Sequence, residues 1–310
     1  MEKFIILPDV SCDLSEELRK EYGLVDYING YVHINNRSIV TTLDWNNISR
    51  EEFYETLSNK KNKVTSAIAS IEEVYNKFKK YADLGYNIIS MSISSKISGT
   101  YNVALKACER IKEEYPNINI CCIDSCRMSG SYGLLVLYAL QMQKDGKSYE
   151  DVINWLEENK KRVHQMGPID DLSFVAKRGQ ISKGKAIMGN LVGIKPMGDC
   201  NSDGYVTVLT KVKGIKKAFD ITVKYIKKCG VDLENQILLI SHSDREKYAN
   251  TLKELLEENI KCKNIYISDV FCGSGTNIGP GMIGVYFLGN PVTEEVIKEK
   301  EIMNSCLEEI

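Results

Sequence analysis

Asn87-Ile88-Ile89-Ser90-Met91-Ser92-Ile93-Ser94-Ser95-Lys96-Ile97-Ser98-Gly99-Thr100-Tyr101 decides how the first half of the chain folds. The run Ile88–Ile93 stops abruptly at Ser94-Ser95, and a helical pattern begins just past Ser98. Two further runs stop the same way: Phe4–Leu7 enters Pro8-Asp9-Val10-Ser11, and Ile118–Ile123 enters Asp124-Ser125. Near-continuous apolar runs of this length suit strands buried on both faces of a parallel sheet. Helix start signals lie between them, each pairing a capping side chain with an acid three residues on: Asp13-x-x-Glu16, Ser49-x-x-Glu52, Ser70-x-x-Glu73 and Ser148-x-x-Asp151. Gly85 reads as a helix stop. Strand and helix thus alternate over the first half, the signature of an open α/β sheet.

Past about residue 160 the texture changes. Turn signals become denser at Gly167-Pro168, Lys195-Pro196 and Asn201-Ser202-Asp203-Gly204, and Tyr205–Leu209 reads as a strand leaving a hairpin turn. Ile237–Ile240 and Val285–Leu288 are further strands, with helices near 214–229 and 245–260. The expectation is α/β: an N-terminal open parallel-sheet α/β/α domain over 1–160 and a C-terminal α+β domain over 161–310. A chain of 310 residues has the length for two domains.

Composition excludes several classes. Forty basic and 42 acidic side chains are interspersed and leave a net charge of −2, so there is no basic stripe for nucleic acid. No stretch approaches the roughly 20 apolar residues that span a bilayer, and Met1–Val10 is too short an apolar run for a signal peptide. The expected location is the cytoplasm. Of ten cysteines only Cys121, Cys122 and Cys126 are close together, with no C-x-x-C pair and no histidine nearby. That pattern predicts reduced core thiols, no metal and no cofactor.

In open α/β sheets ligands sit beyond the carboxyl ends of the strands. There the sequence places Asp9, Ser11, Ser94, Ser95, Ser98, Thr100, Asp124 and Ser125, short hydroxyl and carboxylate groups suited to hydrogen bonding. Ser98 is positioned to cap a helix, Gly99 admits close approach by a ligand, and the first-turn amides favour an anion. The plainer alternative is a cap with water above it. Thr65-Ser66 just precedes a helix as well, a commonplace arrangement.

Several near-motifs fail on context. Gly179-Gln180-Ile181-Ser182-Lys183-Gly184-Lys185 begins like a phosphate loop, but Ala186 replaces the hydroxyl that would hold magnesium. Gly279-Pro280-Gly281-Met282-Ile283-Gly284 has dinucleotide-type spacing, yet it leads into the strand-like Val285–Leu288 rather than a helix. Asp9-Val10-Ser11 lacks the second acid of an aspartyl phosphotransferase, so Asp9 is expected to fix its loop or cap the next helix. Nucleophilic catalysis needs a base within reach, and His33, His164 and His242 supply no convincing partner.

Taken in order, these segments resemble the DegV family of bacterial fatty-acid-binding proteins. The carriers of the likeness are Asp9-Val10-Ser11-Cys12-Asp13-Leu14, Thr65-Ser66, Ser94-Ser95-Lys96-Ile97-Ser98-Gly99-Thr100-Tyr101 and Asp124-Ser125. Asp171-Leu172, Arg178-Gly179-Gln180-Ile181-Ser182, Gly193-Ile194-Lys195-Pro196 and Gly279-Pro280-Gly281-x-x-Gly284 complete the series. The resemblance implies two α/β domains clamping one long-chain fatty acid in a tunnel. The carboxylate would lie at Thr65, Ser66, Ser98, Gly99 and Thr100, with Asp9, Ser125, Lys213, Asn277 and Gly279 supporting the site or facing a partner. Ile187, Met188, Leu191, Val192, Ile194 and Met197 are candidate tunnel linings.

Some members serve as the binding subunit of fatty acid kinase, which implies a kinase catalytic subunit as partner and no catalysis by this chain. Several positions depart from that pattern. Asn277 stands where kinase-coupled members carry His, Lys213 where they carry Arg, Gln180 within the usual G-R-I-S, and Ile68 where Pro is expected. Lys lacks the bidentate fork of Arg, and Asn carries neither charge nor proton. The alternatives are a hydrolase or phosphotransferase acting through Asp9 or Ser98, and a lipid-sensing regulatory protein.

Overall fold

The computed structural model describes residues 3–177, 179–181 and 193–309. In chain order the elements begin β1 (Phe4–Pro8), α1 (Glu16–Tyr22), β2 (Tyr31–Ile34), β3 (Arg37–Val40), α2 (Arg50–Ser58), β4 (Val64–Ala67), α3 (Ile71–Ala82), β5 (Asn87–Ser92) and α4 (Thr100–Glu114). Then come β6 (Ile120–Asp124), α5 (Ser129–Lys144), α6 (Tyr149–Asn159), β7 (Val163–Met166), α7 (Ser173–Lys177), β8 (Ile194–Cys200), β9 (Val206–Lys213) and α8 (Ile215–Cys229). The chain closes with β10 (Ile237–His242), α9 (Glu246–Asn259), β11 (Asn264–Asp269), α10 (Cys272–Ile278), β12 (Ile283–Leu288) and α11 (Ile297–Glu308).

Two sheets carry the frame of this two-domain α/β fold. The first is the parallel sheet β1-β5-β6, and the second is β11-β10-β12-β7, in which β12 alone runs opposite to the other three. Side chains alternate across a strand, so one strand feeds two cores. Phe4 and Ile6 of β1 enter the central core while Ile5 and Leu7 enter the core under α3 and α4. Leu239 of β10 likewise joins the central core, and Leu238 and Ile240 join the core under α8 and α9. This two-sided burial is why the sequence shows runs rather than alternation.

The layer between the sheets is built on α5, whose Leu134, Leu135, Val136 and Leu137 are all fully buried. An α-helix apolar around its whole circumference belongs inside a core, and α5 packs on β1 from one side and on β7, β10 and β12 from the other. Each of its buried leucines contributes about 2 kcal/mol or more.

The alternating strand-and-helix reading of the first half needs one correction. Residues 31–67 form a separate antiparallel sheet, β3-β2-β4, with its own small core of Val32, Ile39, Phe53, Tyr54 and Cys272. Thr65 and Ser66 therefore lie in a strand rather than at a helix start, and Ser70 caps the helix that follows, in a capping box with Glu73. Ser49 and Ser148 cap as expected, whereas the cap of α1 is Ser15 and not Asp13. Asp13 is buried and left-handed, at φ +50°.

In the second half, β8 and β9 form a hairpin whose turn reaches back to the loop after β5. Ser94 Oγ donates to the Asp203 carbonyl at 3.2 Å, and Tyr205 Oη donates to the Lys96 carbonyl at 3.2 Å. Gly204 is required there, because its φ is +87° and an added Cβ would lie 2.6 Å from Ser94 Oγ.

Candidate functional site

A cavity of about 310 Å³ opens beyond the carboxyl ends of β1 and β5. Its lining comes from both halves of the chain: Asp9, Ser66, Ser98 and Thr100 from the first, Ser274 and Asn277 from the second.

Asp9 fixes the floor. Its Oδ1 accepts the Ser11 amide at 2.8 Å and its Oδ2 accepts the Ile93 amide at 2.8 Å, so one carboxylate ties together the loops after β1 and β5. Complete burial pushes its pKa up, and these amide hydrogen bonds oppose the shift.

Ser98 stands one residue earlier than a capping role requires, since the cap position of α4 is Gly99 and no side chain caps it. Instead Ser98 Oγ pairs with Thr100 Oγ1 at 2.8 Å and accepts the Thr100 amide at 3.3 Å. Two hydroxyls and the first-turn amides of a 15-residue helix thus converge on the cavity.

Opposite them Asn277 Nδ2 donates to Ser66 Oγ at 3.1 Å, joining α10 to β4. Thr65 does not share this position. Strand alternation turns it to the other face of β4, in register with His33, and it is absent from the described lining.

The remaining expected site residues separate into two kinds. Gly279 ends α10 at φ +79° and ψ 173°, with the Phe174 ring where a Cβ would be, and it is not part of the described lining. Ser125 is buried behind the site, bonded to the Arg127 carbonyl and amide at 3.1 Å each, and Lys213 is exposed at the end of β9. Neither is part of the described lining.

Sequence reasoning missed Asn29, Thr41, Ser129, Gln180 and Ser274, which also line the cavity. Behind Ser129 lies Asp13, whose carboxylate accepts Ser129 Oγ at 2.6 Å and the Phe271 amide at 3.0 Å. Burial drives the Asp13 pKa up to about 7 against the pull of the Ser129, Ser274 and Phe271 hydrogen bonds.

A second space of about 70 Å³ adjoins the first and shares Met128, Ser129 and Ile278 with it. Its other walls are mostly apolar, among them Met166, Leu172, Val175, Met197 and Ile283, with Gln165 and Tyr286 the polar exceptions. Met197 is thus a wall residue as expected, Ile194 is not in the described lining, and Ile187, Met188, Leu191 and Val192 lie outside the described residues.

Among the described residues no histidine lines either space, and the hydroxyl partner of Ser98 is Thr100 rather than a base. His242 is buried beside Asp269, with Nε2 at 3.5 Å from Oδ1, and accepts the Arg245 amide at 3.3 Å. Among the described residues there is no group of three or more His, Cys, Asp or Glu able to hold a metal, and no helix is long and apolar enough to cross a membrane.

A family model described as "Uncharacterised protein, DegV family" matches residues 3–290. The chain belongs to the DegV family. A DegV domain-containing protein of Clostridium perfringens is 33% identical over 290 residues, covering 94% of this chain and 99% of the relative. A DegV family protein from Thermus thermophilus, described as fatty acid binding, superposes with a TM-score of 0.82 at 22% identity, covering 93% of this chain and 99% of that one. A DegV family protein from Ruminococcus gnavus, refined with vaccenic acid, gives 0.82 at 20% identity, covering 92% and 99%. The DegV fold is therefore shared over nearly the whole length.

Proposed function

We propose that this DegV-family chain binds one long-chain fatty acid between its two halves, residues 1–160 and 161–310. The carboxylate sits against Ser98, Gly99, Thr100 and Ser66, and the tail enters the apolar space beside Met128 and Met197. The observation that carries this reading is the junction itself: a chamber that sets hydroxyls and helix amides among apolar walls shares Met128, Ser129 and Ile278 with a smaller, mainly apolar one. Relatives of the same fold are described as fatty acid binding and as holding vaccenic acid.

The energetics suit such a ligand. A tail of about 14 methylenes gains roughly 11 kcal/mol gross at about 0.8 each. Association and ordering costs remove much of this, so the polar end sets orientation more than affinity.

The test is native mass spectrometry on protein purified from a bacterial host, with the released lipid identified. One added mass matching a single fatty acid, at lower occupancy in Ser66→Ala/Ser98→Ala, is the expected result. Protein that is bare and refuses added fatty acid would remove the reading.

A finer role is presentation of the carboxylate to the catalytic subunit of a fatty acid kinase. Membership of the family supports it, while Asn277 and the distant, exposed Lys213 count against it. Mixing the loaded chain with such a subunit and ATP decides: acyl phosphate supports the role, and its absence where a standard binding subunit works removes it.

A further inference from the structure

The polar chamber holds more acid than a carboxylate ligand tolerates. Asp9 is in its wall, and Asp13 stands one hydroxyl behind it, through Ser129. Both carboxyls are almost fully buried. Among the described lining residues none is a lysine, arginine or histidine. A ligand carboxylate would therefore become a third buried acid in one low-dielectric pocket, where like charges cannot all stay ionised.

The geometry points to proton-linked binding: the site takes up its ligand together with one proton, which the ligand head group and the Asp13–Ser129 pair hold between them. This rests on the fatty-acid reading above. The charge balance is simple. One carboxylate and one proton enter from water, no covalent bond changes, and the buried site gains no net charge.

Asp13 is the group best placed to hold the proton. Ser129 Oγ reaches it at 2.6 Å and itself lines both spaces, so a change of charge at Asp13 is felt at the junction of head and tail. Burial and the Asp9 charge make its ionisation harder, against the hydrogen bonds from Ser129, Ser274 and the Phe271 amide. The thiols and phenols that feel its charge, Cys12 on its own loop, Tyr286 on β12, Tyr54 on α2 and Cys272 on α10, are kept protonated by burial, and Tyr132 on α5 accepts the Asp9 amide at 3.0 Å. Arg19 on α1 is felt by Cys12 and donates to the Leu43 carbonyl at 2.9 Å, and Arg127, buried two residues before Ser129, donates to the Val163 carbonyl at 2.7 Å and the Cys126 carbonyl at 2.6 Å. Asp13 ionises near pH 7 before any ligand arrives, so a second negative charge moves it upward through the neutral range.

The prediction separates ligands by head-group chemistry. Carboxylic acids, which can share a proton, are accepted, and fixed anions of equal tail length are not. The experiment is calorimetric titration of hexadecanoate above neutral pH in two buffers of different ionisation enthalpy, alongside hexadecyl sulfonate. The expected result is uptake of close to one proton per bound hexadecanoate, with affinity falling up to about tenfold per pH unit. The sulfonate should bind at least tenfold more weakly, and Asp13→Asn, already neutral, should bind hexadecanoate with little proton uptake. Stoichiometric hexadecanoate binding with no proton uptake and an equal affinity for the sulfonate overturns the inference and leaves the fatty-acid reading standing. Failure of hexadecanoate to bind at all removes both. The sulfonate comparison uses the native chain, so the outcome does not depend on Asp13→Asn folding.

Discussion

Asn277 Nδ2 lies 3.1 Å from Ser66 Oγ, a hydrogen bond between residues 211 apart in sequence. The same amide also reaches the Gly273 carbonyl at 3.3 Å, so Asn277 is anchored within α10 while it holds β4. The clasp is neutral, since an amide neither gains nor loses a proton in the physiological range. Asn277→Ala should weaken fatty-acid binding roughly fivefold, the worth of one hydrogen bond of about 1 kcal/mol. Ser66→Ala/Asn277→Ala should cost little more than either change alone, which a double-mutant cycle on dissociation constants would show.

Ser98 and Thr65 are separated by the same experiment. Ser98→Ala removes a hydroxyl from the cavity and should weaken binding about five- to tenfold. Thr65→Ala changes the opposite face of β4 and should leave affinity within about twofold. Equal losses at both would place the head group elsewhere.

Gly279 should not accept a side chain. Its dihedrals fall in a region open essentially to glycine alone, and an alanine methyl would lie 2.3 Å from the Phe174 ring. Gly279→Ala is expected to destabilise the fold by about 2 kcal/mol or more, read as a lower midpoint in urea.

A buried ion pair gives stability a pH dependence. His164 Nδ1 lies 2.6 Å from Asp199 Oδ2, and its Nε2 lies 2.8 Å from the Asn290 carbonyl. Both ring nitrogens thus face acceptors, which calls for the imidazolium. Burial disfavours that charge, yet the Asp199 carboxylate outweighs it and holds the His164 pKa well above its usual value. A pKa raised on folding contributes stability that is fully present below the unfolded value, about 6.5, and lost as pH rises through the folded one. Unfolding free energy should therefore decline from about pH 6.5 upward, and His164→Gln should flatten that slope at a cost of about 3 kcal/mol.

The parts of the fold legible in sequence are those fixed by local chemistry. Runs such as Phe4–Leu7 and Ile237–Ile240 are apolar because both faces of their strands are buried, and Ser49, Ser70 and Ser148 cap because each hydroxyl accepts the backbone amide three residues on, with the acid there reciprocating at Ser70 and Ser148. The β2–β4 sheet was not legible, because its strands are four residues long and only partly buried, without a clean period. One signal was available: Asn35-Asn36 forms the two-residue turn between β2 and β3, with Asn35 at φ +53°. Asp13-x-x-Glu16 has the spacing of a capping box, but tertiary packing claims Asp13 for the Phe271 amide and Ser129, and Ser15 takes the cap. The site was half legible. Ser98, Thr100 and Asp9 follow from strand ends, whereas Ser274, Ser129 and the Asn277 clasp exist only once distant segments meet.

The turn of the β8–β9 hairpin rests on the loop that carries Ser98, held by Ser94, Tyr205 and the bare backbone of Gly204. The order of the Ser98 loop is therefore borrowed from a turn more than 100 residues away in sequence. Gly204→Ala, which forces the two apart, should loosen that loop, read as faster amide exchange around Ile97–Thr100 while the sheets stay protected.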